Sequence, residues 1–171
     1  MKFSLIPDYS FNKLTDIAPG FLLDKGISFL MLDLDNTISP YGVTVPDEKI
    51  LSWAENMRSS GVELYIVSNS KRPNRTEGFA DKLGIGYIKA AGKPRPGALI
   101  QLMETKELSP EKCAIAGDQI YTDVIAGNLA GVTSFVLYPI KFTNPFLRIR
   151  YWAEIPFRLM CRNKMWRNNN V

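Results

Sequence analysis

Five short apolar runs recur along the chain, and segments with helical signals separate them. The runs are continuously hydrophobic rather than alternating, which is typical of parallel strands covered on both faces. They occupy residues 27–32, 63–67, 86–89, 113–116 and 133–138. The helical segments between them span residues 46–61, 75–83, 96–107 and 122–130. This alternation predicts an α/β fold with a doubly wound, Rossmann-like parallel sheet of about five strands.

Polar residues follow four of these runs, at the strand ends where doubly wound sheets bind their ligands. Asp33 and Asp35 come directly after the first run, with one residue between them. Ionised carboxylates this close repel each other, which indicates a bound cation or a reaction that uses them. The other polar clusters are Ser68-Asn69-Ser70, Lys93, and Gly117-Asp118 with Asp123.

The residues that the chain lacks exclude several kinds of chemistry. It has no histidine, so Ser-His-Asp and Cys-His catalysis and histidine-rich metal sites are excluded. No Walker-type phosphate loop occurs, and no Gly-x-Gly-x-x-Gly follows a strand. Cys113 and Cys161 make no disulfide framework and favour a reducing compartment. The N-terminus lacks the apolar core of a secretory signal, and no apolar stretch approaches the roughly 20 residues that span a bilayer. We expect a soluble or peripheral protein.

In their order along the chain, the polar clusters resemble the four motifs of the haloacid dehalogenase superfamily of phosphotransferases. Residues 33–37, Asp-Leu-Asp-Asn-Thr, are similar to its Asp-x-Asp-x-Thr/Val signature, and residues 117–123 to its Gly-Asp-x-x-x-x-Asp motif. Taken singly, the acids could cap helices, Ser68 could belong to a turn and Lys93 could lie on the surface. A receiver domain also uses acids, a hydroxyl and a lysine, but it has no such motif after its lysine.

The resemblance implies a phosphatase and a role for each residue. Asp33 would attack phosphorus and form an aspartyl-phosphate. Asp35 would protonate the leaving oxygen and then deprotonate the hydrolytic water. The phosphoryl group of a phosphomonoester substrate would be bound by Ser68, the backbone N–H of Asn69, and Lys93. A Mg²⁺ ion would be held by Asp33, the backbone carbonyl of Asp35, Asp118 and Asp123.

The gaps between the motifs leave no room for a cap domain over this site. Residues 37–46 read as a short loop, and residues 70–93 hold one helix and one strand. An open site suits a substrate that is large or embedded in something large. Closure by another subunit of a homo-oligomer is the other interpretation.

Within the capless group, subfamily IIIA, the chain resembles the YqeG-type phosphatases, which are related to mitochondrial phosphatidylglycerophosphate phosphatases. The residues that carry this resemblance are Pro19-Gly20, Leu22-Leu23, Gly26-Ile27, the 33–37 motif, Lys93-Pro94 and residues 117–124. The resemblance implies phosphatidylglycerophosphate as a substrate and a place in phospholipid biosynthesis. A soluble sugar phosphate or nucleotide is the alternative substrate, and a non-catalytic scaffold with a basic interaction tail is the alternative function.

The positive charge of the chain is concentrated after residue 140. We therefore divide the chain into a haloacid dehalogenase-like domain, residues 1–140, and a basic, aromatic tail, residues 141–171. The tail has seven basic residues against Glu154 alone, interleaved with Phe142, Phe146, Tyr151, Trp152, Phe157 and Trp166.

Such a segment suits an anionic lipid interface, which would make the protein peripheral to a membrane in the cytoplasm or on an organellar matrix side. Packing of the tail on the domain or on an identical subunit is the other interpretation, and Pro156 is expected to break or kink a helix there. Nucleic acid is not expected as a partner, because residues 1–140 are slightly acidic.

Overall fold

The computed structural model describes residues 3–142 and 145–165. Their strands form one sheet in the order β4-β3-β2-β5-β6-β1-β7, and every paired neighbour runs parallel. The strands are β1 (Tyr9–Phe11), β2 (Phe29–Leu32), β3 (Glu63–Val67), β4 (Gly86–Ile88), β5 (Cys113–Gly117), β6 (Thr133–Leu137) and β7 (Asn163–Lys164). After β2, strands β3 and β4 are added on one side of β2, and the chain then crosses to form β5 on its other side. The crevice between β2 and β5 is therefore the switch point at which such sheets bind ligands.

Helices cover both faces of the sheet. They are α1 (Pro19–Asp24), α2 (Glu48–Ser59), α3 (Arg75–Leu83), α4 (Gly97–Thr105), α5 (Ile125–Ala130) and α6 (Pro145–Leu159). Helices α1 to α3 pack on one face with Leu30 and Leu32, and α4 and α5 pack on the other face with Phe29 and Met31. Alternate residues of β2 thus enter opposite cores, which explains why its sequence is continuously apolar.

The predicted α/β sheet without a cap is confirmed. All five predicted strands form, and β1 and β7 extend the sheet at one edge. With three and two residues, both are too short to show a strand pattern. Residues 38–47 form no helix or strand, and only α3 and β4 lie between residues 70 and 93. The fourth predicted helix begins as a π-helical turn, Ile120–Val124, before α5. Both cysteines are buried and unpaired, as expected.

The described part of the basic, aromatic tail packs against the domain. Helix α6 continues through Pro156, so of the two expected effects, a break or a kink, the break does not occur. After α6, Asn163 and Lys164 of β7 pair with Tyr9 and Ser10 of β1. Trp166 and Arg167 lie outside the described residues. Among the described helices, none combines the length and apolar character needed to cross a bilayer.

Candidate active site

Three buried carboxylates and one buried lysine meet at the carboxyl ends of β2 and β5. Asp33, Asp118 and Asp123 each place an oxygen within 4.8 Å of the others. The Lys93 Nζ donates to Asp33 Oδ1 at 2.8 Å and to Asp123 Oδ1 at 2.6 Å. One ammonium group facing three carboxylates leaves two negative charges to be neutralised when all are ionised.

Burial changes the ionisation of this cluster. It raises the pKa of Asp33 to about 6, although the neighbouring Lys93 acts in the opposite direction. The pKa of Asp118 is raised well above its usual value by burial and then by the charges of Asp33 and Asp123. Burial opposes the charge on Lys93, but the attraction of Asp123 and Asp33 outweighs it and raises the lysine pKa. The arrangement therefore favours additional positive charge.

The cluster fits a hard divalent cation such as Mg²⁺. Asp118 Oδ2 accepts a hydrogen bond from Asn36 Nδ2 at 3.2 Å, while Asp118 Oδ1 is buried and has no hydrogen-bond partner. A buried carboxylate oxygen without a partner is costly unless an ion satisfies it. Two ligands at about 2.1 Å from one Mg²⁺ lie up to about 4.2 Å apart, so small movements would bring the three carboxylates onto one ion.

The fourth motif needs its glycine because Asp123 folds back over the end of β5. A Cβ atom on Gly117 would lie 2.2 Å from Asp123 Cγ, so any other residue there would displace the Asp123 side chain. The π-helical turn returns the chain to this point, and the backbone N–H of Gln119 donates to Asp123 Oδ2 at 3.2 Å. The spacing of Gly117, Asp118 and Asp123 thus follows from the turn that brings both acids to one place.

Asp35 lies apart from the three-carboxylate cluster because Arg75 binds it. Arg75 Nε and Nη2 lie 2.8 Å and 2.7 Å from Asp35 Oδ1. Arg75 is buried at the start of α3 and also donates to the carbonyls of Val43 and Pro40. It therefore positions both Asp35 and the loop that follows the first motif. Sequence reasoning missed Arg75, since nothing near it in the sequence distinguishes it from a surface arginine of a helix.

A cavity of about 180 Å³ adjoins the cluster and contains the predicted phosphoryl-binding residues. It is lined by Asp33, Asp35, Tyr41, Ser68, Asn69, Ser70, Lys93, Gln119 and Thr122. Sequence reasoning missed Tyr41, Gln119 and Thr122 as lining residues. Burial and the charges of Asp118 and Asp33 raise the pKa of Tyr41 to about 12, so its hydroxyl keeps its proton and can donate to a phosphate oxygen.

The side chain of Asn69 positions Lys93. Its Nδ2 donates to the Lys93 carbonyl and its Oδ1 accepts from the Lys93 N–H, both at 2.9 Å. The expected substrate contact of Asn69 was through its backbone N–H, and that contact stays a prediction. The Ser68 hydroxyl is buried and accepts from the Ser70 N–H at 3.0 Å, an arrangement that keeps the loop after β3 compact.

Helix α6 reaches the loop that carries Asp118. The buried Glu154 accepts from the Ile120 N–H at 3.0 Å, and it pairs with Arg158 at 2.9 Å. Arg158 donates in turn to the carbonyls of Asp118 and, at 2.9 Å, of Leu137. From the other side, the Asp118 N–H donates to the Thr37 hydroxyl at 3.0 Å. These contacts place α6 beside the site, which the division of the sequence after residue 140 did not anticipate.

All six predicted site residues with functional side chains therefore lie at one edge of the sheet. Asp33, Lys93, Asp118 and Asp123 form the buried cluster. Asp35 and Ser68 line the adjoining cavity. Arg75 binds the carboxylate of Asp35. The predicted contact between Asp35 and the ion would therefore be made by the Asp35 backbone carbonyl.

The chain is similar to known hydrolases along most of its length. A family model described as haloacid dehalogenase-like hydrolase matches residues 21–131, more than half of the chain. The probable phosphatase YqeG of Bacillus subtilis (strain 168) is 30% identical over 164 residues, which are 96% of this chain and 94% of that protein. The mitochondrial phosphatidylglycerophosphatase GEP4 of Saccharomyces cerevisiae is 29% identical over 123 residues, 64% of this chain and 65% of that protein.

Solved phosphatase structures share the fold. The 3-deoxy-D-manno-octulosonate 8-phosphate phosphatase from Moraxella catarrhalis, in complex with magnesium, phosphate and KDO, has a TM-score of 0.55 and 17% identity, covering 82% of this chain and 77% of its own. The cobalt-bound deoxy-D-mannose-octulosonate 8-phosphate phosphatase from Haemophilus influenzae has a TM-score of 0.56 and 14% identity, covering 74% and 75%. At these identities the likeness concerns the fold alone.

These similarities set aside the alternative of a non-catalytic scaffold, because the chain shares its family with phosphatases along nearly its whole length. The order of the motifs along the chain and their meeting at one edge of the sheet agree with that assignment. The chain belongs to the haloacid dehalogenase superfamily and is a phosphatase of the YqeG type.

Proposed function

We propose that this phosphatase is a Mg²⁺-dependent phosphomonoester hydrolase that works through an aspartyl-phosphate on Asp33. The observation that carries the proposal is the buried cluster of Asp33, Lys93, Asp118 and Asp123, with the unpartnered Asp118 Oδ1. Asp33, Asp118, Asp123 and the Asp35 carbonyl would hold Mg²⁺. When bound, the ion would neutralise phosphoryl charge and favour the ionised form of Asp33.

In the first step, a carboxylate oxygen of Asp33 attacks phosphorus, and the bond from phosphorus to the leaving oxygen breaks. Asp35 gives its proton to that oxygen. In the second step, Asp35 takes a proton from water, whose oxygen attacks phosphorus and releases the Asp33 carboxylate and inorganic phosphate. Lys93 stabilises the charge that develops on the phosphoryl oxygens. Arg75 keeps Asp35 on the cavity side, where it can serve both proton transfers.

Magnesium is expected to stabilise the protein, and more strongly at pH 7 than at pH 5. Because burial raises the pKa of Asp33 to about 6, the metal-free folded state binds more protons than the unfolded state between roughly pH 4 and 6. Metal-free stability therefore falls as the pH rises through this window. Mg²⁺ at about 100 times its Kd would add about 2.7 kcal/mol, or a Tm increase of about 5 to 10 °C for a chain of this size.

The measurement is a thermal melt in Mg²⁺ and in EDTA at both pH values, together with hydrolysis of an aryl phosphate. The Asp118→Asn variant is the control, and its Tm should respond much less to Mg²⁺. Identical melting curves of the wild-type protein in Mg²⁺ and EDTA at pH 7 would contradict a metal site at these carboxylates.

For the substrate, we propose a phospholipid with a terminal phosphomonoester, phosphatidylglycerophosphate being the specific candidate. Two features support it: the similarity to the yeast phosphatidylglycerophosphatase, and the open site, where no cap limits the size of the substrate. The proposal includes a peripheral membrane contact through residues 141–171 and a role in phospholipid biosynthesis, in the cytoplasm or on an organellar matrix side.

A panel of phosphomonoesters tests the substrate class. We expect kcat/KM for phosphatidylglycerophosphate in mixed micelles to exceed that for sugar phosphates and nucleotides by at least about tenfold, since an acyl chain that contacts the protein adds about 0.8 kcal/mol per buried CH₂. Phosphate release is measured at equal enzyme and Mg²⁺ concentrations, with detergent present in every reaction. A soluble phosphomonoester that is hydrolysed faster would favour the alternative substrate class.

A further inference from the structure

Helix α6 turns an apolar face outward. The exposed fractions are 69% for Phe146, 65% for Ile149, 70% for Trp152 and 62% for Leu159. Spacings of three and seven residues place Ile149, Trp152 and Leu159 on one side of the helix, with Phe146 at its edge. A helix on the surface of a soluble domain normally shows a polar face to water and buries its apolar face. Helix α6 has the opposite arrangement.

Two charged residues of α6, Glu154 and Arg158, face the protein instead. The buried Glu154 pairs with Arg158, whose side chain is 12% exposed, and both bind the loop after β5. Leu147 is buried on the same side of the helix. Arg158 also packs over the ring of Tyr151, with its Cζ 4.7 Å from the ring centroid. These contacts attach α6 to its own domain through the inner side, and they do not explain the apolar residues on the outer side.

The exposed charges that α6 and its flanking residues carry have one sign. Between residues 141 and 165 the only carboxylate is Glu154, which is buried and paired with Arg158. Lys141 and Arg148 are exposed and Arg150 is half-buried. A second copy of the chain, placed symmetrically on this face, would bring the same positive charges together. An anionic surface is the complementary partner.

We infer that the outer face of α6, formed by Phe146, Ile149, Trp152 and Leu159, is the surface by which the protein lies on an anionic lipid bilayer. Apolar and aromatic side chains enter the boundary between head groups and acyl chains, while the flanking Lys and Arg residues attract anionic head groups. This inference rests on the proposed function, in which the substrate is a phospholipid. Helix α6 contacts the loop of Asp118 through its inner side, so the helix itself would lie between that loop and a bilayer on its outer face.

Vesicle co-sedimentation of the full chain tests the inference. The vesicles contain phosphatidylcholine alone or phosphatidylcholine with an equal amount of phosphatidylglycerol. We expect the wild-type protein to bind the anionic vesicles, and the double variant Ile149→Glu/Trp152→Glu to bind them at least about tenfold more weakly, because two apolar anchors become negative charges. The control is Leu51→Glu, an exposed apolar residue on α2, which should bind as the wild type does.

Vesicle binding is measured together with oligomeric state and with hydrolysis of a soluble aryl phosphate. Equal binding of the double variant and the wild type would overturn the inference, as would equal wild-type binding to neutral and anionic vesicles. A wild-type dimer that ignores vesicles and becomes monomeric in the double variant would assign the face to a second copy. Hydrolysis of a soluble aryl phosphate should be unchanged in the double variant. Absence of that activity in the wild type would instead count against the proposed function, whatever the vesicles show.

Discussion

The Asp33→Asn variant is expected to lose hydrolysis of an aryl phosphate by a factor of about 10⁴ or more while it keeps its fold. An amide oxygen is a far weaker nucleophile than a carboxylate, so the covalent step has no substitute group. Asparagine has nearly the same shape as aspartate, and its amide oxygen can still accept from Lys93 Nζ, which in the wild-type protein lies 2.8 Å from Asp33 Oδ1. The measurement is kcat with saturating Mg²⁺, together with a circular dichroism spectrum and a Tm.

The matched control is Asp81→Asn, an exposed acid on α3, which should leave kcat unchanged. A single turnover stopped with acid adds a second readout, because wild-type enzyme should carry an acid-stable but hydroxylamine-sensitive phosphoryl group and Asp33→Asn should carry none. Turnover of Asp33→Asn within about tenfold of the wild type would reject Asp33 as the nucleophile.

The Lys93→Met variant is expected to lose about 10³-fold in kcat and, without metal, about 3 to 5 kcal/mol in the free energy of unfolding. The lysine side chain is 1% exposed and contacts two carboxylates that are 9% and 1% exposed. Its removal leaves three acids buried close together with no cation between them. Urea unfolding in EDTA measures the loss of stability.

Magnesium should restore part of that stability, because the ion supplies positive charge to the same three carboxylates. Lys89→Met is the control. Its side chain is 58% exposed and pairs with Glu77 on the surface, so Lys89→Met should unfold at nearly the same urea concentration as the wild type. If Lys93→Met and Lys89→Met unfolded at the same urea concentration in EDTA, the lysine would not be neutralising the buried acids.

The residues of the first and fourth motifs could be predicted because each motif has a short, fixed spacing that can be recognised in the sequence. Asp33 with Asp35, and Gly117 with Asp118 and Asp123, have spacings that one turn or one strand end imposes. The structure explains the second spacing by the Asp123 carboxylate, which occupies the space where a Cβ of residue 117 would lie. Lys93 and Ser68 could be predicted only through the order of the motifs, since a single lysine or serine has no distinctive neighbours.

Residues that act over long distances in sequence could not be predicted. Arg75 reaches Asp35 across 40 positions, and Arg158 reaches the Asp118 carbonyl across 40 positions. Arg75 is buried and the Arg158 side chain is 12% exposed, and other elements of the fold create the environment of both. Strands β1 and β7 were missed for a related reason: each is stabilised by its neighbour in the sheet rather than by its own composition.

The sequence alone predicted the parallel α/β sheet and the absence of a cap, because these depend on periodicity and on the short gaps between motifs, and it singled out the acids and the lysine through the order of those motifs. Tertiary structure decided which side chains contact each other. It placed Asp35 with Arg75 and Asp33 with Lys93, and it oriented α6 so that its charged pair faces inward and its apolar residues face outward. Those outcomes depend on which surfaces meet when the sheet assembles, and no local stretch of sequence contains that information.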